Sequence, residues 1–173
     1  TSLLDEGAGD LDNVAFQSRM EELGISLGFS ASVDSFSGSL RTVRDDLDSA
    51  VELMELAVKK PRFDTDDMER MRDAMRTNLI RSQPNPDYQA RLAFLKTLFD
   101  GHQYARSTQG NLDSIDKITR DDLLAMNEKI MSRETLKIGV VGAISEEELA
   151  AVIDRIFGDL PEASQLEKIE DIK

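Results

Sequence analysis

The chain has 173 residues, a length typical of a single domain, and its 40% hydrophobic and 32% charged residues are enough of each for a globular core. The formal net charge of −13 predicts a surface that repels nucleic-acid phosphate and anionic lipid, so neither nucleic acid nor membrane is expected as a partner. The absence of Cys excludes disulfides, thiolate metal sites and a Cys nucleophile, and no apolar run reaches the roughly 18 residues of a membrane span.

The first predicted elements are a helix and a β-hairpin. Residues 13–23 carry apolar side chains at helical spacing and are followed by Gly24, a residue type that favours the end of a helix. Apolar and small polar residues then alternate over 25–34, which is typical of a strand with one buried face. Residues 36–43 are predicted as its antiparallel partner, because an Asp-Ser turn signal separates the two runs.

Three amphipathic helices are predicted next, over residues 45–60, 65–82 and 86–100. The first two carry a stripe of Met, Leu and Val side chains at helical spacing, which is more typical of a core face than of a binding patch. Asn85 is expected to cap the third helix, with Pro at its first position.

The last third of the sequence predicts a helix, a strand and a second helix. Thr119, with Asp three residues later, resembles a capping box at the start of a helix. Residues 135–142 are apolar and β-branched and are predicted as a strand. A second capping box at Ser145 opens a helix over 145–157, and the polar residues 164–173 are predicted as a linker or frayed tail.

Together these elements predict an α+β domain, in which helices pack on one face of an antiparallel sheet. Three strands are too few for so many amphipathic helices. We therefore expect an N-terminally truncated domain, with further strands of the same sheet in a segment upstream of Thr1. The predicted domain extends over 1–163 and lacks its first strands, and 164–173 is its tail.

Six short motifs follow one another in the sequence: P-R-F at 61–63, L-F-D-G-H-Q-Y-A-R at 98–106, Gly110 with S-I at 114–115, I-T-R-D-D-L at 118–123, I-G-V-V-G at 138–142 and F-G-D-L-P at 157–161. Taken in this order, they resemble a signature of the pitrilysin/insulinase family of zinc metallopeptidases. Each motif is short, but their shared order makes the resemblance specific, and it extends over nearly the whole chain. It implies a metallopeptidase domain of the LuxS/processing-peptidase type.

The resemblance also implies where a zinc site would lie. In this family the site is an inverted motif, H-x-x-E-H on a helix, completed by a Glu from a later helix; the Glu of the motif polarises the zinc-bound water as general base. The matching positions in this sequence are Ser2 for the first His, Asp5 for the general base and Glu6 for the second His. The third ligand falls at Thr77 and Asn78, where no carboxylate is present.

These departures predict a member of the family that has lost the metal site. A catalytic zinc needs about three protein ligands, and the single His of the sequence, His102, is far from both segments. We expect no cofactor in this chain, with zinc bound only in a catalytic partner. Asp5 and Glu6 are interpreted as solvated acids at a helix end, and His102 as a structural hydrogen-bonding residue in a polar turn.

The function that the resemblance implies is that of a non-catalytic subunit or domain, which helps to enclose and present peptide to a catalytic sister, as in a heterodimer. Two alternatives stay open: part of an active zinc metalloendopeptidase whose zinc site lies in a missing segment or a partner chain, and a purely structural scaffold subunit. The strand at 25–34 is the candidate peptide contact, since its Ser- and Gly-rich face leaves the backbone accessible, although an ordinary half-exposed strand has the same pattern. The acidic, Cys-free composition fits a periplasmic or otherwise exported bacterial protein, with a cytoplasmic location as the alternative.

Overall fold

A computed structural model describes residues 3–170 of the chain. Its longer elements are the helices α1 (Asn13–Glu22), α2 (Leu47–Lys59), α3 (Thr65–Ser82), α4 (Pro86–Leu98), α5 (Leu112–Ile115), α6 (Arg120–Ile130) and α7 (Glu146–Phe157) and the strands β1 (Ser26–Ala31) and β2 (Phe36–Arg41). Two single turns of 3-10 helix lie at Arg44–Asp46 and Gln103–Ala105. The predicted helices are confirmed, and the four-residue α5 is an addition to them. No helix of the described part combines the length and the apolar character that a membrane crossing requires.

The helices begin where local side-chain hydrogen bonds satisfy their free N–H groups. Asn85 Oδ1 accepts from the backbone N–H groups of the first turn of α4, at 2.9 and 3.3 Å. Reciprocal capping boxes open α6 at Thr119 and α7 at Ser145, each with an acidic side chain three residues later. These caps depend only on residues within one helical turn, which is why the sequence predicts them correctly.

The hairpin of β1 and β2 is antiparallel, with Ser26 opposite Arg41 and Ala31 opposite Phe36. Its inner face is apolar: the rings of Phe29 and Phe36 stack with their centroids 5.9 Å apart. The turn closes at residues 32–35, where Ser32 N donates to Ser35 O at 2.8 Å. Among the described residues the sheet has these two strands, and with the helices it confirms the α+β class.

The hydrophobic core lies between α1, the inner face of the hairpin, α2 and α7. Phe16 of α1 and Val51 of α2 are its largest fully buried side chains. Six residues of α2 are buried, which makes this helix the centre of the core: Ala50, Val51, Leu53, Met54, Ala57 and Val58. Ile156 of α7 joins the same cluster with 4% exposure. The predicted interpretation of the α2 stripe as a core face is therefore confirmed.

The strand predicted at 135–142 is wrong for the described part of the chain. No backbone hydrogen bond joins residues 137–141 to the hairpin or to any other described segment. The apolar side chains of this segment stay exposed, from 36% at Leu136 to 103% at Val141. β-Branched residues favour strands because they pack on a pleated, hydrogen-bonded neighbour, and without that neighbour the preference produces no strand.

The helix α4 lies at the periphery of the molecule. None of its described residues is buried, and the large apolar side chains of Phe94 and Leu98 are 61% and 54% exposed. The sequence predicts an inward face at Leu92, Leu95 and Phe99, and the structure buries those three only in part.

Candidate functional site

The loop that precedes α1 contains the positions that match the family's zinc motif. Gly7 and Gly9 have positive φ angles of 120° and 59°, which glycine adopts readily. Between them, the fully buried Ala8 exchanges two 3.0 Å backbone hydrogen bonds with Leu11, and Gly9 N donates to Lys60 O at the end of α2. Asp5 and Glu6 lie in the turn before these glycines, rather than at the helix end that the sequence suggests.

Glu6 is held by a polar network that joins this loop to α1 and α3. Its carboxylate accepts hydrogen bonds from Asn13 Nδ2 and from the guanidinium of Arg70. Asp67 belongs to the same network: its Oδ1 lies 2.8 Å from Asn13 Nδ2 and 3.0 Å from Arg70. The side chain of Glu6 is only 19% exposed, so its interpretation as a solvated acid is wrong. The reason is a cation, Arg70, that lies 64 positions away in the sequence, together with the nearby amide of Asn13.

Asp5 is half-buried beside this network, and its carboxyl has fewer hydrogen-bond partners than that of Glu6. Its Oδ1 atom is buried and has no hydrogen-bond partner among the described residues. Burial raises the pKa of the Asp5 carboxyl above its ordinary value of 3.8, and the nearby charge of Glu6 raises the pKa further, against the opposing effect of a hydrogen bond from its own backbone. The surroundings of Asp5 therefore make ionisation of its carboxyl less favourable than it is in water.

The remaining degenerate positions do not complete a metal site. Ser2 lies outside the described residues, and Asn78 is exposed on α3, two turns beyond Arg70 and therefore about 12 Å further along the helix axis. Across residues 3–170 no group of three or more His, Cys, Asp or Glu side chains is arranged to hold a metal ion. Arg70 already neutralises Glu6 and would repel a cation beside it. The described residues do not fit a zinc ion.

His102 has a structural environment, as the sequence predicts. Its Nδ1 accepts a 3.2 Å hydrogen bond from Tyr104 N, so the neutral ring carries its proton on Nε2, which lies 2.9 Å from Glu170 O. Tyr104 packs edge-on against the His102 ring at 4.7 Å and donates through its hydroxyl to Asp34 in the hairpin turn at 2.7 Å. The pKa of Tyr104 is raised by this hydrogen bond to Asp34 and by partial burial. His102 and Tyr104 therefore join the tail and the hairpin turn.

The outer face of the hairpin is small and polar. The cross-strand register aligns its side chains in pairs, which are Ser26 with Arg41, Gly28 with Ser39 and Ser30 with Ser37. Gly28 has no atom within 4 Å of the position that a Cβ would occupy, so this face is open. The outer edges of both strands are unpaired within the described residues, and such edges can accept an added strand.

Comparison with known proteins gives a consistent picture. A family model described as the peptidase M16 inactive domain matches residues 117–172. The non-peptidase homolog YmxG of Helicobacter pylori is 25% identical over 166 residues, covering 96% of this chain and 38% of the relative. The solved peptidase M16 inactive domain from Pseudomonas fluorescens has a TM-score of 0.91 and 30% identity, covering 99% of this chain and 42% of that one.

The fold is also that of pitrilysin, whose crystal structure superposes with a TM-score of 0.78 at 20% identity, over 98% of this chain and 19% of that one. These likenesses define the class as a metallopeptidase-like α+β domain of the inactive type. The chain is thus similar to the pitrilysin/insulinase family of zinc metallopeptidases, and in particular to the inactive domains of that family. It spans 38% of the length of the H. pylori relative.

Proposed function

We propose that this domain forms a non-catalytic wall of a two-part zinc peptidase. In this proposal it associates with a sister domain or subunit that carries H-x-x-E-H, and it helps to enclose an unfolded peptide and present it for cleavage. The observation that supports the proposal is the likeness of 99% of this chain to a solved inactive domain, combined with the loop before α1 (the motif loop), in which Glu6 binds Arg70 and Asn13.

The network around Glu6 supports the proposal, because it connects the motif loop to α1 and α3 through protein side chains alone. In an active site, zinc would tie the motif helix to the helix that supplies the third ligand. Here Glu6, Asn13, Asp67 and Arg70 link the same loop to α1 and α3 through hydrogen bonds and ion pairs. Zinc is expected only in the sister, where the protein ligands would be complete.

The outer face of the hairpin is the surface that we propose for peptide contact. Its Ser and Gly side chains are short, so an extended peptide can approach the backbone of β1 and β2 closely. A surface of this kind contributes by positioning, which alone can account for several kcal/mol of a reaction barrier. It needs no catalytic group of its own.

The test uses the full-length protein, the sister and an unstructured peptide. Ser37→Leu places a bulky side chain on the outer face of the hairpin, and Ser18→Leu places the same side chain on the exposed surface of α1 as a matched control. Ser37→Leu is expected to raise the KM of cleavage by the complex several-fold, while Ser18→Leu leaves KM unchanged. Equal KM values for both variants would show that the outer face of the hairpin does not contact the peptide.

A periplasmic or otherwise exported bacterial location is part of the same proposal. The Cys-free composition is compatible with it, because a chain without thiols functions in an oxidising compartment as well as in a reducing one. Fractionation of the source cells tests it: recovery of the protein with cytoplasmic markers alone would contradict export.

A further inference from the structure

A cleft separates the C-terminal end of α3, the start of α4 and the loop that leads into α5. It has a volume of about 730 Å³. Apolar and uncharged polar residues make up most of its lining. No Asp or Glu lines it, and Arg106 is the one charged residue among the lining residues. In a chain of net charge −13, a cleft lined by one cation and no anion stands out electrostatically.

Two strong hydrogen-bond donors of this cleft are unused. Neither the guanidinium of Arg106 nor the hydroxyl of Tyr88 makes a hydrogen bond or ion pair with another residue of the described part. Other lining groups are satisfied: Gln89 Nε2 donates to Gln83 O at 2.8 Å, and Ser114 Oγ accepts from Asn111 N at 2.9 Å. Arg106 and Tyr88 therefore differ from these two lining residues, because their donor groups have no partner in the described part.

The backbone around Arg106 is held in place by its neighbours. Arg106 N donates to Gln103 O at 3.0 Å, in the turn that His102 and Tyr104 stabilise. On the other side, Gly110 has a φ of +69°, and a Cβ at that position would lie 2.8 Å from Ser114 Oγ. The loop is thus shaped by close packing that only glycine allows. Both Arg106 and Gly110 belong to the stretch that carries the family resemblance, and the degenerate zinc motif gives them no role.

We propose that this cleft binds a carboxylate of an extended peptide, with Arg106 as the cationic anchor and Tyr88 as a second donor. A guanidinium pairs with a carboxylate through two parallel N–H···O bonds, which makes it a stronger and more directional partner than a lysine. The carboxylate belongs to an acidic side chain or to the peptide C-terminus. This inference rests on the proposed peptide-presenting function, and it adds a preference for acidic substrate.

The experiment measures binding of a fluorescein-labelled, unstructured peptide to the full-length protein by fluorescence anisotropy. Three peptides of one sequence are compared: a neutral, C-terminally amidated form, the same form with one central Glu, and the neutral form with a free C-terminal carboxylate. Arg106→Ala is expected to raise the Kd of the preferred acidic peptide about tenfold or more, and Tyr88→Phe to raise it by less. Arg91→Ala is the matched control, since Arg91 is exposed on α4 and does not line the cleft.

Tighter binding of the Glu peptide would show that the cleft binds an acidic side chain. Tighter binding of the free-carboxylate peptide would show that it binds the peptide C-terminus. The inference is overturned if all three peptides bind equally, if none binds, or if Arg91→Ala weakens binding as much as Arg106→Ala. Failure of the proposed function is recognised separately, with the neutral peptide and the sister peptidase. If the protein still associates with the sister and accelerates cleavage of the neutral peptide, the cleft proposal alone is wrong.

Discussion

Two regions of this domain are built from similar residues but packed very differently. The region of α1, the hairpin, α2 and α7 buries its apolar side chains in one cluster, with Phe16 fully buried. The second region comprises two separate segments, α4 and residues 136–141, which leave comparable side chains exposed, with Phe94 at 61%. The first region therefore supplies most of the hydrophobic stabilisation of the described part, while the second contributes little of it.

The largest expected effect contrasts one substitution in the two regions. Phe16→Ala removes a fully buried ring and leaves a cavity, so it should lower the free energy of unfolding by about 3–5 kcal/mol. Phe94→Ala removes an exposed ring and should change the free energy of unfolding by at most about 0.5 kcal/mol. Urea unfolding followed by circular dichroism measures both. Equal losses would show that α4 belongs to the core after all.

A smaller loss of unfolding free energy is expected from breaking the ion pairs that join α3 to the motif loop. Arg70→Ala leaves the largely buried carboxylates of Glu6 and Asp67 beside each other without their cation, and should cost about 1 kcal/mol. The control is Arg76→Ala, which breaks an ion pair with the more exposed Asp116 and should cost less. The same unfolding assay applies. A larger loss for Arg76→Ala would contradict a structural role for the Glu6 network.

A still smaller effect is expected from Asp5, whose ionisation makes the free energy of unfolding depend on pH in a defined direction. Because the pKa of Asp5 is raised in the folded state, its contribution to stability is greatest below the ordinary value of 3.8 and is lost as pH rises through the folded-state pKa. Asp5→Asn removes this loss, so the variant should be more stable than the parent at pH 7, and the difference should shrink towards pH 4. Unfolding curves across this pH range measure it. A difference that is constant or grows at low pH would contradict the burial of this carboxyl.

No change is expected from zinc. The described residues do not fit the ion, so a zinc concentration far above that needed by catalytic sites should leave the unfolding midpoint of the chain unchanged. Elemental analysis of protein prepared without chelator provides a second readout. One tightly held zinc per chain would show that the motif loop binds metal despite the Arg70 contact.

The sequence predicts structural features whose partners are close along the chain, and it misses those whose partners are distant along the chain. The capping boxes at Thr119 and Ser145 are visible because both partners lie three residues apart. The ion pair of Arg70 with Glu6 joins residues 64 positions apart, and no local pattern reveals it. The failed strand at 135–142 has the same cause, since strand formation depends on a partner that the pattern itself does not contain. The cleft at Arg106 was likewise hidden, although the arginine stands within a recognised motif.

The most direct test of the central claim is the initial rate of cleavage of an unstructured, neutral peptide by the H-x-x-E-H sister, measured with and without the full-length protein. The account predicts no cleavage by this protein alone, stable association of the two, and a rate that rises with its concentration until the sister is saturated. A sister that cleaves equally fast in both conditions and does not associate would contradict the account, and a structural scaffold would take its place.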